Sequence, residues 1–121
     1  MKTRKIRIRI RDIRTALDDF VATGEALARG KAVSQEAGIY FTSIEAFRKA
    51  ITPRRLELLN LIKTARPESI NQLASLAGRN IKNVAEDVKL LSQVGLLETK
   101  EAENRVEPQV DYDEIDLRIA V

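Results

Sequence analysis

The chain has 121 residues, 44% of them hydrophobic and 32% charged, which suits one compact domain with or without a short extension. It contains neither cysteine nor histidine. That excludes a disulfide framework and thiolate or imidazole metal sites, and removes the commonest general base, so no catalytic role, metal or cofactor is expected. No apolar run approaches the ~20 residues that cross a bilayer, and no signal-peptide core opens the chain, so a cytoplasmic location is expected.

The net charge of +3 is unevenly spread. Residues 1–50 hold eleven Lys/Arg against six acids, residues 51–100 eight against five, and residues 101–121 two against seven. A basic body with an acidic tail suits a polyanion partner, together with a basic partner or an internal charge contact.

In chain order, Lys5 to Arg11 alternates basic and apolar residues with period two. This predicts a strand with Ile6, Ile8 and Ile10 on one face and Arg7, Arg9 and Arg11 on the other. From Asp12 the period becomes helical through Ile13, Leu17, Phe20 and Leu27, with Gly30 as the stop. Ile39 to Phe41 reads as a second strand. Thr42 and Glu45 form a capping box that opens a short helix burying Ile44 and Phe47. Thr52 caps the next helix with Pro53 at its first position, and Leu56, Leu59 and Ile62 share a face widened by Leu58 and Leu61. Pro67 ends the connection that follows.

Ser69 and Gln72 form another capping box, and Ile70, Leu73, Ala74 and Ala77 supply the apolar face of that helix. Gly78 breaks it. Asn80 caps a third helix in which Ile81, Val84, Val88 and Leu91 recur, and Gly95 ends it. Leu96–Lys100, a polar turn and Arg105–Val110 predict a β-hairpin. Tyr112 to Val121 alternates again, with Ile115, Leu117 and Ile119 on one face.

Ser69 to Leu91 is the informative stretch. Two short amphipathic helices cross steeply around Gly78-Arg79-Asn80 only if the facing residue is small, which Ala74 satisfies, and if the turn tolerates positive φ, which Gly78 satisfies. The second helix then carries Arg79, Asn80, Lys82, Asn83, Glu86 and Lys89 on its polar side. Arginine, lysine and asparagine are the residue types that grip phosphates or read purine edges in a major groove. With Ser69 and Arg105 these make the candidate DNA-contacting set. Glu86 and Asp87 suit orienting neighbouring cations better than touching DNA, and Asp87 is placed to pair with Arg54 or Arg55. The acids of the tail (Asp111, Asp113, Glu114 and Asp116) lack calcium-loop spacing and read as solvated charge.

Residues 52–100, TPRRLELLNLIKTARPESINQLASLAGRNIKNVAEDVKLLSQVGLLETK, resemble the winged helix-turn-helix of MarR-like regulators. They are most similar to a group of small regulators of bacteria and archaea in which the helix opening TPRRLELL, the PESINQLA helix, GRNIKNVAEDV across the turn and GLLE entering the wing recur. The resemblance extends over Phe41 to Leu117. It implies an antitoxin of a toxin–antitoxin module, which binds operator DNA, represses its own operon and neutralises a toxin. Two features depart from the group: the wing tip carries Glu101 and Glu103 with Arg105 as its only base, and the N-terminal strand is more basic than the resemblance requires.

The expected fold is α+β and mostly helical: a winged helix-turn-helix over residues 51–121, with its acidic C-terminal segment, preceded by a strand-helix-strand extension over residues 1–50. The expected function is a sequence-specific transcriptional repressor of double-stranded operator DNA, located at the nucleoid and acting as a homodimer that holds two recognition helices one DNA turn apart. Residues 1–50 are the expected dimer or partner region, so a chain starting near Ser43 is expected to fold as a monomer. The alternatives are a toxin-masking interaction module with little DNA binding and a stand-alone regulator without a toxin. RNA binding is disfavoured by only 4% aromatic residues. Opposite charges place the N-terminal strand near the C-terminal segment, within one chain or across a dimer; solvated ends, or arginines reserved for DNA or the toxin, are the other outcomes.

Overall fold

The computed structural model of the protein describes residues 3–11 and 38–120. The expected helix after Asp12 lies outside them. The described elements are β1 (Lys5–Ile10), β2 (Ile39–Phe41), α1 (Ile44–Ala50), α2 (Pro53–Ala65), α3 (Ile70–Ala77), α4 (Ile81–Val94), β3 (Glu98–Ala102), β4 (Arg105–Gln109) and β5 (Glu114–Ile119). The fold is α+β, with a winged helix-turn-helix and the strand extension at its N-terminus.

The strands form two sheets. One is a hairpin of β3 and β4; the other has the order β2-β1-β5, with β1 parallel to both neighbours. Glu103 and Asn104 turn the hairpin at φ 45° and 67°. Positive φ at both central residues matches the right-handed twist of the strands they join.

Charge and apolar pattern meet in the β1–β5 pairing. Ile6, Ile8 and Ile10 lie beside Ile115, Leu117 and Ile119, and Arg7 lies beside Asp116. Lys5 pairs with Glu114 at 3.7 Å and Arg4 with Asp111 at 3.5 Å. Asp113 accepts from the Arg4 backbone N–H at 3.0 Å and from Lys63 on α2 at 3.2 Å. These contacts, the Arg4 N–H first, hold its carboxyl below the usual value of 3.8. The expected proximity of the two ends thus holds within one chain. The sheet also crosses the boundary drawn at residue 50.

Local chemistry sets the helix ends. The Thr52 hydroxyl accepts from Arg55 N–H at 3.3 Å, Ser69 from Gln72 N–H at 3.0 Å, and the Asn80 carbonyl oxygen from Lys82 N–H at 2.8 Å. Each cap satisfies a backbone donor that the helix itself leaves unpaired. Gly78 and Gly95, at φ 64° and 92°, close α3 and α4. In each case the N–H beyond the glycine reaches back, from Arg79 to Ala74 at 3.1 Å and from Leu96 to Leu91 at 2.9 Å. This paired closure needs a left-handed residue, which glycine supplies without a Cβ clash.

The first helix corrects the sequence reading. α1 is capped by Ser43, not Thr42, its hydroxyl accepting from Ala46 N–H at 3.1 Å. Glu45 thus sits in the first turn, at the positive end of the helix dipole, and not at the position a capping box requires. Ile44, expected inside, is 45% exposed.

One core joins both parts of the chain. Ile8 of β1 is fully buried with Leu58, Leu59 and Ile62 of α2, Leu73 and Ala74 of α3, Val84, Val88 and Leu91 of α4, then Leu96, Leu97 and Tyr112. Each large aliphatic side chain so buried contributes roughly 1.5–3 kcal/mol. Leu56 and Ile81, expected on the buried stripes, are instead exposed. On α2 the stripe runs through Leu58, Leu59 and Ile62, and Arg55 takes the place beside it.

Candidate nucleic-acid interface

α3, the turn Gly78-Arg79-Asn80 and α4 form the helix-turn-helix. Ala74 is 5% exposed, so no side chain beyond its methyl separates α3 from what it packs against. Val84, Val88 and Leu91 bury one side of α4. The other side faces solvent with Lys82, Asn83, Glu86 and Lys89, and Asn80 is exposed at its start. The N-terminal half of α4 therefore combines amide and ammonium donors with the positive end of a helix dipole.

Arg79 is placed differently from the expectation. Its side chain is only 19% exposed, and it donates to Asp87 at 2.9 Å. Asp87, 13% exposed, also accepts from Arg55 Nε at 3.1 Å. Arg55 reaches further, its Nη1 donating to the carbonyls of Lys49 and Ala50 at 2.7 and 2.9 Å. One carboxylate thus ties the start of α2, the end of α1 and the turn before α4 to one another. Of the two cations offered by sequence for Asp87, Arg55 is the partner. Another Arg79 nitrogen, Nη1, is buried with no acceptor among the described residues. The Arg79 guanidinium is turned towards Asp87 on α4 and is mostly enclosed.

Ser69 is half-buried, and its oxygen is committed as an acceptor to the cap of α3. Its O–H remains able to donate. Arg105, at the start of the second wing strand, pairs with Glu68 at 3.3 Å while staying 45% exposed. The wing also carries Glu98, Glu101, Glu103 and Glu107 against Lys100. Acidic side chains thus outnumber basic ones on the wing, whereas the exposed side of α4 carries Lys82 and Lys89 against Glu86.

Two features escaped the sequence reading. Tyr112, which periodicity places only at the start of an alternating stretch, is buried, and its hydroxyl donates to the Leu96 carbonyl at 2.7 Å. An aromatic residue just before a strand was the available signal. The second is an open apolar groove of about 670 Å³ between α2 and α3, lined by Leu56, Leu61, Leu76 and Ala77 among others.

Three helices, the last two joined through Gly78, followed by a two-stranded hairpin, make this a winged helix-turn-helix protein. The chain belongs to the HVO_A0114 family, whose profile matches residues 50–117, more than half its length. Among solved structures it is similar to the homodimeric winged helix-turn-helix DNA-binding domain of Mb0332 from Mycobacterium bovis, described as a possible ArsR-family transcriptional regulator. The two share 23% identity over 82% of this chain and 70% of that one, with a TM-score of 0.48. A crystal structure of a possible transcriptional regulatory protein from the same organism is 21% identical over 78% of this chain and 76% of that one, with a TM-score of 0.44. No curated protein matches the chain. No helix of the described residues is long and apolar enough to cross a membrane.

Proposed function

We propose that this protein is a sequence-specific transcriptional repressor that binds double-stranded operator DNA as a homodimer, with α4 as the recognition helix. The observation that carries the reading is the two-sidedness of α4: Val84, Val88 and Leu91 lock one side into the core, leaving Asn80, Lys82, Asn83, Glu86 and Lys89 to solvent. In a major groove Asn83 suits an adenine edge, Lys82 a guanine edge or a phosphate, and Lys89 a phosphate. Glu86 orients the neighbouring lysines. Ser69 donates its O–H to a phosphate without losing its cap, and Arg105 reaches one only by leaving Glu68. Arg79 supports the reader from behind.

Fluorescence anisotropy with the DNA upstream of the gene, against a scrambled duplex, tests this. Asn83→Ala or Lys82→Ala costs about 1–3 kcal/mol if the residue reads a base, with discrimination relaxed at one operator position. Loss of a phosphate contact weakens all sequences alike and lowers the salt slope by about 0.9. Folded variants that bind the operator as the native chain does would rule out α4 as the reader. The narrower role, an antitoxin that represses its own operon and masks a toxin, is supported by the resemblance of residues 52–100. It is tested by co-purification with the product of the neighbouring gene and rescue of growth when both are expressed.

A further inference from the structure

β5 closes one side of the β2-β1-β5 sheet, and among the described residues no strand lies beyond it. The Ala120 N–H donates to the Ile10 carbonyl of β1 and the Glu114 N–H to the Arg4 carbonyl just before it, each at 3.3 Å. Backbone groups alternate sides along a strand, so Glu114, Asp116, Arg118 and Ala120 direct theirs to β1. Ile115, Leu117 and Ile119 direct theirs to the open edge. On that edge Leu117 is 39% and Ile119 51% exposed. An apolar strand with an unpaired row of donors and acceptors is a template for another strand, and soluble proteins cover such edges.

The sequence of β5 says which strand fits. Ile115-Asp116-Leu117-Arg118-Ile119 has its apolar residues placed symmetrically about Leu117 and its charges placed with opposite sign. Laid antiparallel on a second copy with the two Leu117 residues opposed, every position finds a complement. Ile115 meets Ile119 of the partner subunit, and Asp116 meets Arg118 of the partner subunit. The register satisfies the backbone too, because the residues that pair by hydrogen bonds are then Ile115, Leu117 and Ile119, whose groups already face outward. Shifting by one residue would oppose inward-facing to outward-facing groups and put the apolar faces on opposite sides. The Asp116–Arg118 pair within one strand is loose, 3.8 Å with Arg118 58% exposed, so these charges can also engage across an axis.

We propose that two copies of this chain join through β5 edges in an antiparallel pair centred on Leu117, merging their parallel sheets into one continuous sheet across a two-fold axis. Such an interface is isologous, the form most homodimers take. It deepens the dimer part of the function proposed above and places the contact on β5, not within residues 1–50. Mass measurements need no DNA, so failure here leaves the reading of α4 to its own binding test.

The experiment is sedimentation velocity over a concentration series on the native full-length chain and on Asp116→Arg and Arg118→Asp. The native chain is expected to have twice the chain mass. Each variant alone opposes like charges at both symmetry-related pairs and is expected to dimerise at least about tenfold more weakly. Mixed in equal amounts, the two variants regain complementary charges and are expected to form a heterodimer. Because the chain has no cysteine, Leu117→Cys adds a test that leaves the charges intact. The opposed Cα atoms of a hydrogen-bonded antiparallel pair lie about 5.5 Å apart, within disulfide reach, so mild oxidation should cross-link it while Glu103→Cys on the wing stays uncoupled. A monomeric native chain, charge variants that dimerise undiminished, a mixture that stays monomeric, or equal cross-linking of both cysteine variants would each overturn the proposal.

Discussion

Asp87→Ala removes the carboxylate that, among the described residues, faces Arg55 and Arg79 together, at 3.1 and 2.9 Å. Both guanidinium side chains are 19% exposed and Asp87 is 13% exposed. Stripping one partner from a fully buried pair costs about 3–5 kcal/mol, because the remaining charge is desolvated without compensation. A fifth of each arginine remains in water and screens part of that, so the expected loss is about 2–4 kcal/mol. Arg79 has no way to recover the loss locally, since its Nη1 already lacks an acceptor among the described residues. Arg55 keeps the Lys49 and Ala50 carbonyls, which is why the estimate stays below the upper limit. In a chain of this size the change lowers Tm by roughly 10 °C. Thermal and urea unfolding followed by circular dichroism measure it. Asp111→Ala is the control, because the Arg4–Asp111 pair is 71% and 69% exposed, and exposed pairs contribute about 0–1 kcal/mol. A double-mutant cycle with Arg55→Ala isolates the coupling. If Asp87→Ala is as mild as Asp111→Ala, the brace does not hold the turn before α4 and the role assigned to Arg79 is wrong.

Tyr112 gives a pH dependence. Burial, and second the Asp111 carboxylate, push its hydroxyl from the usual 10.0 up to about 12. The neutral phenol is thus favoured in the fold; its stabilisation is complete below pH 10 and is lost as pH rises towards about 12. Denaturation midpoints should fall over that window, and Tyr112→Phe should abolish the late phenolate absorbance; a midpoint flat across it contradicts the assignment. At Gly78 a Cβ would meet nothing within 4 Å, so Gly78→Ala pays only for its left-handed backbone, about 1–2 kcal/mol in urea unfolding; a neutral result would mean that the turn rearranges. Deleting residues 1–42 takes Ile8 out of the core and leaves β5 without β1. Such a chain should lose cooperative melting, whereas a sharp transition would show that the winged unit stands alone.

The caps of α2, α3 and α4 and the glycine stops of α3 and α4 were legible in sequence; the cap of α1 and the left-handed Arg66 that closes α2 were not. Thr52, Ser69, Asn80, Gly78 and Gly95 act on backbone groups within a turn of themselves, so neighbours in the chain decide the outcome. At α1 two adjacent hydroxyls competed, and Ser43 prevailed over Thr42. The exposed polar side of α4 was legible as well, because a helix with an apolar stripe must turn its remaining residues elsewhere. Opposite charges were enough to bring the two ends together, but not to select a parallel β1–β5 pairing with β1 in the middle of the sheet. That choice depends on where the whole core delivers Tyr112 and the strand after it, about a hundred residues from β1. The same holds for Arg79, whose position on the helical wheel predicts a DNA-facing cation. Only the tertiary structure sets Arg55 of α2 and Arg79 together around Asp87 of α4. Periodicity assigns a side chain to a face of its own helix, whereas the partner it meets depends on elements far away in the chain.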